Sequence, residues 1–200
     1  MSDEINNIKI LWDSNAIDTQ VKKMAHAIVD RWDREPVINL VPVITGGMMF
    51  ASKLMTELES IAPGKWVVNP LIASSYQYSY DPNKPEVVKI SDYESKFKDG
   101  SPTIILDDLI DSGITLSIIK DLIKNITNGN VEIAVLVDKT AKRASNIYPE
   151  YYCFDIEEDY WLVGFGMDDK GLFRGMDSVG YLNQQIKLLW KLNTNFEVTL

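Results

Sequence analysis

The chain contains a single cysteine, Cys153, and a single histidine, His26. One thiol forms no disulfide within the chain, and such usage suits a reducing compartment. No Cys/His cluster offers the ligand set of a structural zinc. Basic residues are outnumbered: 20 Lys and Arg stand against 29 Asp and Glu, a formal net charge of −9 over 200 residues. No basic stripe marks a nucleic-acid partner, and the acidity disfavours an anionic membrane surface. No apolar run approaches the ~18 residues of a membrane-crossing helix. The N-terminus "MSDEINNIKI" lacks the apolar core of a signal segment. A cytoplasmic protein with neither nucleic acid nor membrane as partner is expected. Internal repeats, low-complexity tracts and the Walker loop GxxxxGK[ST] are also missing. An anionic ligand would therefore be held by local dipoles, a few cations or a metal ion, because the global field opposes it.

What is present is an ordinary globular mixture, 46% hydrophobic and 24% charged. It suits one domain spanning residues 1–200 with a sizeable core. "WDSNAIDTQVKKMAHAIVDRWDRE" predicts a helix capped by Asp13 or Ser14. Ile17, Val21, Met24, Ala25, Ile28 and Trp32 fall on its apolar face, and His26 lies beside it in a structural role. "PVINLVPVIT" predicts a strand ending near Thr45, and "MMFASKLMTELESI" a helix after Gly46-Gly47. "KWVVNPLIASSY", "PTIILDD" and "VEIAVLVDK" predict further strands, with "EVVKI" a short arm. "TLSIIKDLIKNI" predicts a helix beginning near Leu116 and ending at Asn128-Gly129. "YYCFDI" and "YWLVGFG" read as late strands, and "GYLNQQIKLLWKL" as a C-terminal helix. Alternating strands and helices predict an α/β fold with a mostly parallel central sheet flanked by helices. Ligands of such sheets bind outside the carboxyl ends of the strands. Gly46-Gly47, Ser75-Tyr76, Asp107-Asp108 and Lys139 each follow a predicted strand.

One stretch, "IILDDLIDSGIT", places three carboxylates and a glycine turn where a buried strand hands over to a helix. Charge there is costly unless something pairs with it. A helix start presents unpaired N–H groups and a positive dipole end. Gly113 permits the turn that aims those groups at one point, and Ser112 and Thr115 add hydroxyls. Together they form a phosphate cradle. Ionised Asp107 and Asp108 suit sugar hydroxyls or metal-bound water. A phosphorylated ribose needs both. The plainer reading is an acidic loop with Asp111 capping a helix. Strand, acidic pair, glycine turn and helix occurring in order favour the ligand.

This stretch resembles the phosphoribosyl pyrophosphate signature of the type I phosphoribosyltransferases, and within them the chain is similar to the hypoxanthine-guanine phosphoribosyltransferases. "VPVITGGMMF" resembles the family's pyrophosphate loop, "IASSY" the start of its closing lid, and "VLVDK" its purine-contacting lysine. "YWLVGFGMDDKGLFRG" resembles its base-stacking segment. The resemblance spans roughly residues 8–182 and implies a core at about 36–150 with a hood at about 1–15 and 151–200. It implies transfer of the 5-phosphoribosyl group to a 6-oxopurine, with Mg2+ as cofactor and a homodimer or homotetramer as the assembly. Asp111 would handle the purine N7 proton as the catalytic residue. Asp107, Asp108, Ser112, Gly113, Ile114 and Thr115 would bind the phosphoribosyl group. Thr45, Gly46, Ser75, Tyr76 and Arg174 would face pyrophosphate. Lys139, Trp161, Leu162 and Asp168 would hold the purine, and Asp168, Asp107 and Asp108 the metal. Two departures stand out. Thr45 replaces the Lys or Arg usual in the first loop, and the lid "QYSYDPNKPE" carries two prolines in place of small residues. A nucleotide-sensing regulator on the same fold, without turnover, is the alternative.

Overall fold

The computed structural model of the chain describes residues 8–76, 87–90 and 97–182. The expected lid, residues 77–86, and the tail after Leu182 lie outside the described residues.

The strands are β1 (Ile8–Trp12), β2 (Ile38–Ile44), β3 (Trp66–Val68), β4 (Leu71–Tyr76), β5 (Val87–Ile90), β6 (Thr103–Ile110), β7 (Val131–Lys139), β8 (Tyr151–Ile156), β9 (Leu162–Val163) and β10 (Val179–Leu182). The helices are α1 (Ser14–Arg31), α2 (Met48–Ile61) and α3 (Ile114–Thr127). Strands β5-β4-β2-β6-β7-β8 form the main sheet in that order, with β3 also on β2. All of its pairings are parallel except β4 with β5. Parallel strands covered on both faces read as continuous apolar runs, and every residue of β7 is buried. The two faces of the sheet carry separate apolar clusters. One is centred on α1 and α2, with Ile17, Val21, Ile28, Phe50 and Leu54; the other on α3, with Leu116, Ile119 and Ile123.

Helix α1 starts as predicted, with the Asp13 side chain accepting from the Ala16 N–H at 2.8 Å. His26, however, is exposed. The expected strand "KWVVNPLIASSY" is two strands. Leu40 pairs with Val68 and Val43 with Leu71, so the register carries across the gap and sets Pro42 level with Pro70. Neither proline has an N–H to donate, and the ladder lapses there. Strand β6 runs past the acidic pair to Ile110, because Leu109 and Ile110 still find partners in Val137 and Asp138 of β7. Asp107 and Asp108 are thus inside the strand and not beyond it. Helix α3 begins at Ile114, two residues before Leu116, because the turn is completed at Gly113 (φ 79°).

A second sheet, β1-β10-β9, is antiparallel. Residues 180–182, expected at the start of a helix, are extended and pair with β1. Strand β8, within the stretch assigned to the hood, instead lies in the main sheet, where β7 needs a partner along its outer side. Of "YWLVGFG" only Leu162–Val163 is a strand. Single bridges, Gly164 with Met167 and Asp169 with Leu172, fold the rest back on itself.

Candidate active site

The carboxyl ends of β2, β6 and β7 deliver three loops to one end of the main sheet. The loop after β2 lies against the acidic pair of β6. A Cβ on Gly46 would sit 2.6 Å from Asp108 Oδ2, and one on Gly47 would sit 2.8 Å from both the Leu106 and Val43 carbonyl oxygens. Only glycine permits that approach. Thr45 is exposed, and the Ile44–Thr45 peptide is cis. A Cβ on Gly166 would meet the Gly46 carbonyl oxygen at 2.1 Å, so the turn following β9 closes on the same loop.

Asp107 and Asp108 are both buried. The Asp108 N–H donates to Asp107 Oδ1 at 2.9 Å. Burial, followed by the adjacent Asp108 charge, pushes the Asp107 carboxyl well above its ordinary range. Burial raises Asp108 too, opposed by hydrogen bonding from Asp107 and by the Arg174 charge. The pair supplies hard oxygen donors where burial opposes their charge. Among the described residues no group of three or more His, Cys, Asp or Glu is arranged to hold a metal ion. Mg2+ commonly takes only one or two carboxylates, with water and substrate phosphates completing its shell. The Asp107–Asp108 pair fits that use. The Asp168 carboxylate pairs with Arg174, whose charge also acts on Asp108, and accepts from the Gly171 N–H. Arg174 also donates to the Gly166 carbonyl.

Beyond β6, Ser112 Oγ accepts from the Ile114 N–H at 3.3 Å at the mouth of α3. Asp111 meets the other expected base-contacting group directly. Lys139, 4% exposed at the last position of β7, donates to Asp111 Oδ2 at 3.4 Å and to Asp159 Oδ1 at 2.9 Å. The second Asp111 oxygen, Oδ1, is buried without a hydrogen-bond partner. Asp159 also accepts from Lys142, and these two lysines hold its carboxyl below the ordinary range. Two residues on, Trp161 is 47% exposed. Its carbonyl accepts from the Leu182 N–H at 3.1 Å, while buried Leu162 pairs with Tyr181.

A model of the phosphoribosyl transferase domain matches residues 7–170. The chain belongs to this family. The chain is 28% identical over 179 residues to a hypoxanthine-guanine phosphoribosyltransferase of Streptococcus pyogenes, covering 89% of this chain and 94% of that protein. Its fold matches a hypoxanthine phosphoribosyltransferase of Staphylococcus aureus with a TM-score of 0.78 at 23% identity, covering 90% of this chain and 95% of that one. It also matches a hypoxanthine-guanine phosphoribosyltransferase of Bacillus anthracis with a TM-score of 0.73 at 25% identity, covering 88% and 99%. The mostly parallel sheet with flanking helices is the fold of these neighbours. Arg174 lies beyond the residues the family model matches.

The structure therefore gathers Gly46, Asp107, Asp108 and Gly166 in one group, and Asp111 and Lys139 in another. The side chains of Ser75 and Tyr76 lie outside the described residues, although the backbone of both is in β4, paired with β5. Neither Asp159 nor Arg143 stands out in the sequence. Asp159 is one acid in the run "EED", and Arg143 one cation in "KTAKR"; nothing in either spacing separates them from solvated charges.

Proposed function

We propose that this phosphoribosyltransferase moves the 5-phosphoribosyl group of phosphoribosyl pyrophosphate to N9 of a 6-oxopurine, releasing pyrophosphate and a nucleoside monophosphate. The contact between Lys139 and Asp111 carries this reading. On a 6-oxopurine, O6 and N7 are neighbouring atoms on one edge. A donor to O6 and an acceptor for the N7 proton must therefore stand side by side, as this lysine and this aspartate do. A lysine ammonium has three N–H groups. Asp111 and Asp159 take two, and one remains for O6. The Asp111 carboxylate, its side chain 37% exposed, has the lone pairs to receive the N7 proton as N9 attacks C1 of the ribose.

Ser112, Gly113, Ile114 and Thr115 cradle the 5′-phosphate at the start of α3, where N–H groups and dipole favour an anion. Asp107 and Asp108 bind the ribose hydroxyls and, with Asp168, would hold Mg2+. When bound, the ion neutralises charge on the departing pyrophosphate. Thr45, Gly46, Ser75, Tyr76 and Arg174 face the leaving group, with Arg174 exchanging its Asp168 partner for phosphate oxygens. Trp161 stacks on the purine, with the Leu162 backbone and Asp168 at its edge. Similarity to the streptococcal hypoxanthine-guanine phosphoribosyltransferase supports the substrate class. Mg2+, a homodimer or homotetramer and a cytoplasmic location are part of the same proposal. Among the described residues no helix is long and apolar enough to cross a membrane.

The exposed Thr45 in the first loop favours one other reading, a nucleotide sensor without turnover. The deciding experiment incubates the protein with Mg2+, phosphoribosyl pyrophosphate and hypoxanthine, guanine or xanthine, and separates the products by chromatography. Monophosphate formation with at least one base is expected. No product from any of them, alongside calorimetric binding of a purine monophosphate, would replace the enzyme with the sensor.

A further inference from the structure

The structure assigns Arg143 as a positioning residue for this transfer, a clamp that sets the separation of Asp111 and Lys139 by holding the ends of β6 and β7 together. The inference rests on the activity proposed above. Arg143 lies in the loop after β7 with its side chain 8% exposed. Its Nε donates to the Asp111 carbonyl at 2.9 Å, and its Nη1 to the Ile147 carbonyl at 2.7 Å. Its Nη2 reaches the Ile110 carbonyl at 3.4 Å, the Lys139 carbonyl at 3.2 Å and the Asp138 carboxylate. One planar fork thus collects acceptors from both strands where Asp111 and Lys139 leave the sheet. Ile110 and Lys139 are the last residues of β6 and β7, and a buried carbonyl without a donor is costly.

The same loop supports the phosphate turn. The Ser112 carbonyl accepts from the Ala144 N–H at 3.0 Å and from Ser145 Oγ at 3.1 Å. A Cβ on Gly113 would lie 2.3 Å from Ser145 Oγ and 2.7 Å from Ile147 Cγ2, so turn and loop are in close contact. At 3.4 Å, Lys139 and Asp111 form a long bond that does little to fix its own geometry. The backbones set that spacing, and Arg143 ties the backbones. It needs no contact with substrate to matter, since a displacement of about 1 Å at a reacting group costs on the order of 10²-fold in rate.

Arg143→Lys keeps a cation opposite Asp138 but concentrates its donors on one nitrogen, which cannot span acceptors on both strands. Its single-turnover rate per folded molecule, with folding scored by circular dichroism, should fall about 10²-fold. In Arg143→Ala, millimolar guanidinium chloride should restore part of the rate, and methylammonium chloride at equal concentration should not. The isosteric Asp138→Asn weakens one leg of the clamp without opening a cavity. Its rate should fall about tenfold, the equivalent of one weakened charge-assisted bond. A wild-type protein that makes no monophosphate would reject the proposed activity itself. A wild type that turns over beside Arg143→Lys and Asp138→Asn variants of equal rate per folded molecule would reject the clamp, even if both melt earlier. Equal recovery with methylammonium would reject it as well.

Discussion

Asp107 is held in conditions that oppose its ionisation. Burial, then the Asp108 charge, raises its carboxyl well above the ordinary range. A carboxyl that binds its proton more tightly in the folded chain than in the unfolded one favours the fold at low pH. That contribution is fully present below the unfolded value of about 3.9 and is lost as pH rises through the higher folded value. Asp107→Asn keeps the shape and removes the ionisation. At pH 7 the variant should unfold with about 1–3 kcal/mol more stability than wild type, the scale of desolvating a buried polar group. The advantage should shrink towards pH 4, as wild-type Asp107 regains its proton. Urea denaturation at both pH values checks this, and an equal gain at both would place the effect elsewhere. The same variant should bind phosphoribosyl pyrophosphate more weakly. Together the two results would identify the acidic pair as stability surrendered to function. Asp159 shows the opposite arrangement: exposed, bonded to two lysines and held below the ordinary range.

Among the elements, the loop after β2 depends most on what it lies against. Its two glycines face different obstacles. Beyond Gly46 is the Asp108 carboxylate, a side chain; beyond Gly47 are the carbonyls of Leu106 and Val43, which are backbone. Side chains yield more readily than paired strands. Gly46→Ala should therefore cost about 1–3 kcal/mol, the usual range of overpacking. Gly47→Ala should cost more, because it wedges the loop off β2 and β6. Denaturant midpoints rank the two, and the reverse order would mean that Asp108 is the more rigid obstacle. In function the contrast should invert: Gly46→Ala disturbs the proposed phosphoribosyl-binding carboxylate even in molecules that remain folded.

Across the whole molecule, the small antiparallel sheet joins residues far apart in the chain. Ile8 pairs with Leu182 and Ile10 with Gly180, while β10 also carries β9 and the carbonyl contact to Trp161. At Gly180 the strands β1 and β10 approach closely: a Cβ there would sit 2.6 Å from Ile8 Cγ2 and 2.7 Å from the Lys9 carbonyl oxygen. Gly180→Val should part the two strands and loosen the segment carrying Trp161 and Leu162. Calorimetry should show purine affinity falling severalfold while phosphoribosyl pyrophosphate affinity, assigned to β6 and α3 in the proposed function, holds. Equal losses for both ligands would show that the sheet supports the site as a whole.

The local code wrote much of this protein. Apolar periodicity and the Asp13 cap set α1, "MMFASKLMTELESI" is α2 residue for residue, and "VEIAVLVDK" is β7. Strand, acidic pair, glycine turn and helix announced a site, because each depends on neighbours within a few residues. Tertiary structure decided the rest. Pairing with β7 carried β6 past its aspartates. Facing prolines split one strand in two, and β1 drew residues 180–182 out of a helical reading. No local pattern could bring Lys139, Asp111 and Asp159 together, or mark Arg143 as the residue bridging two strand ends. A hydrogen bond is selected by distance in space, and along the chain those partners are separated by other elements or by loops with no period to read.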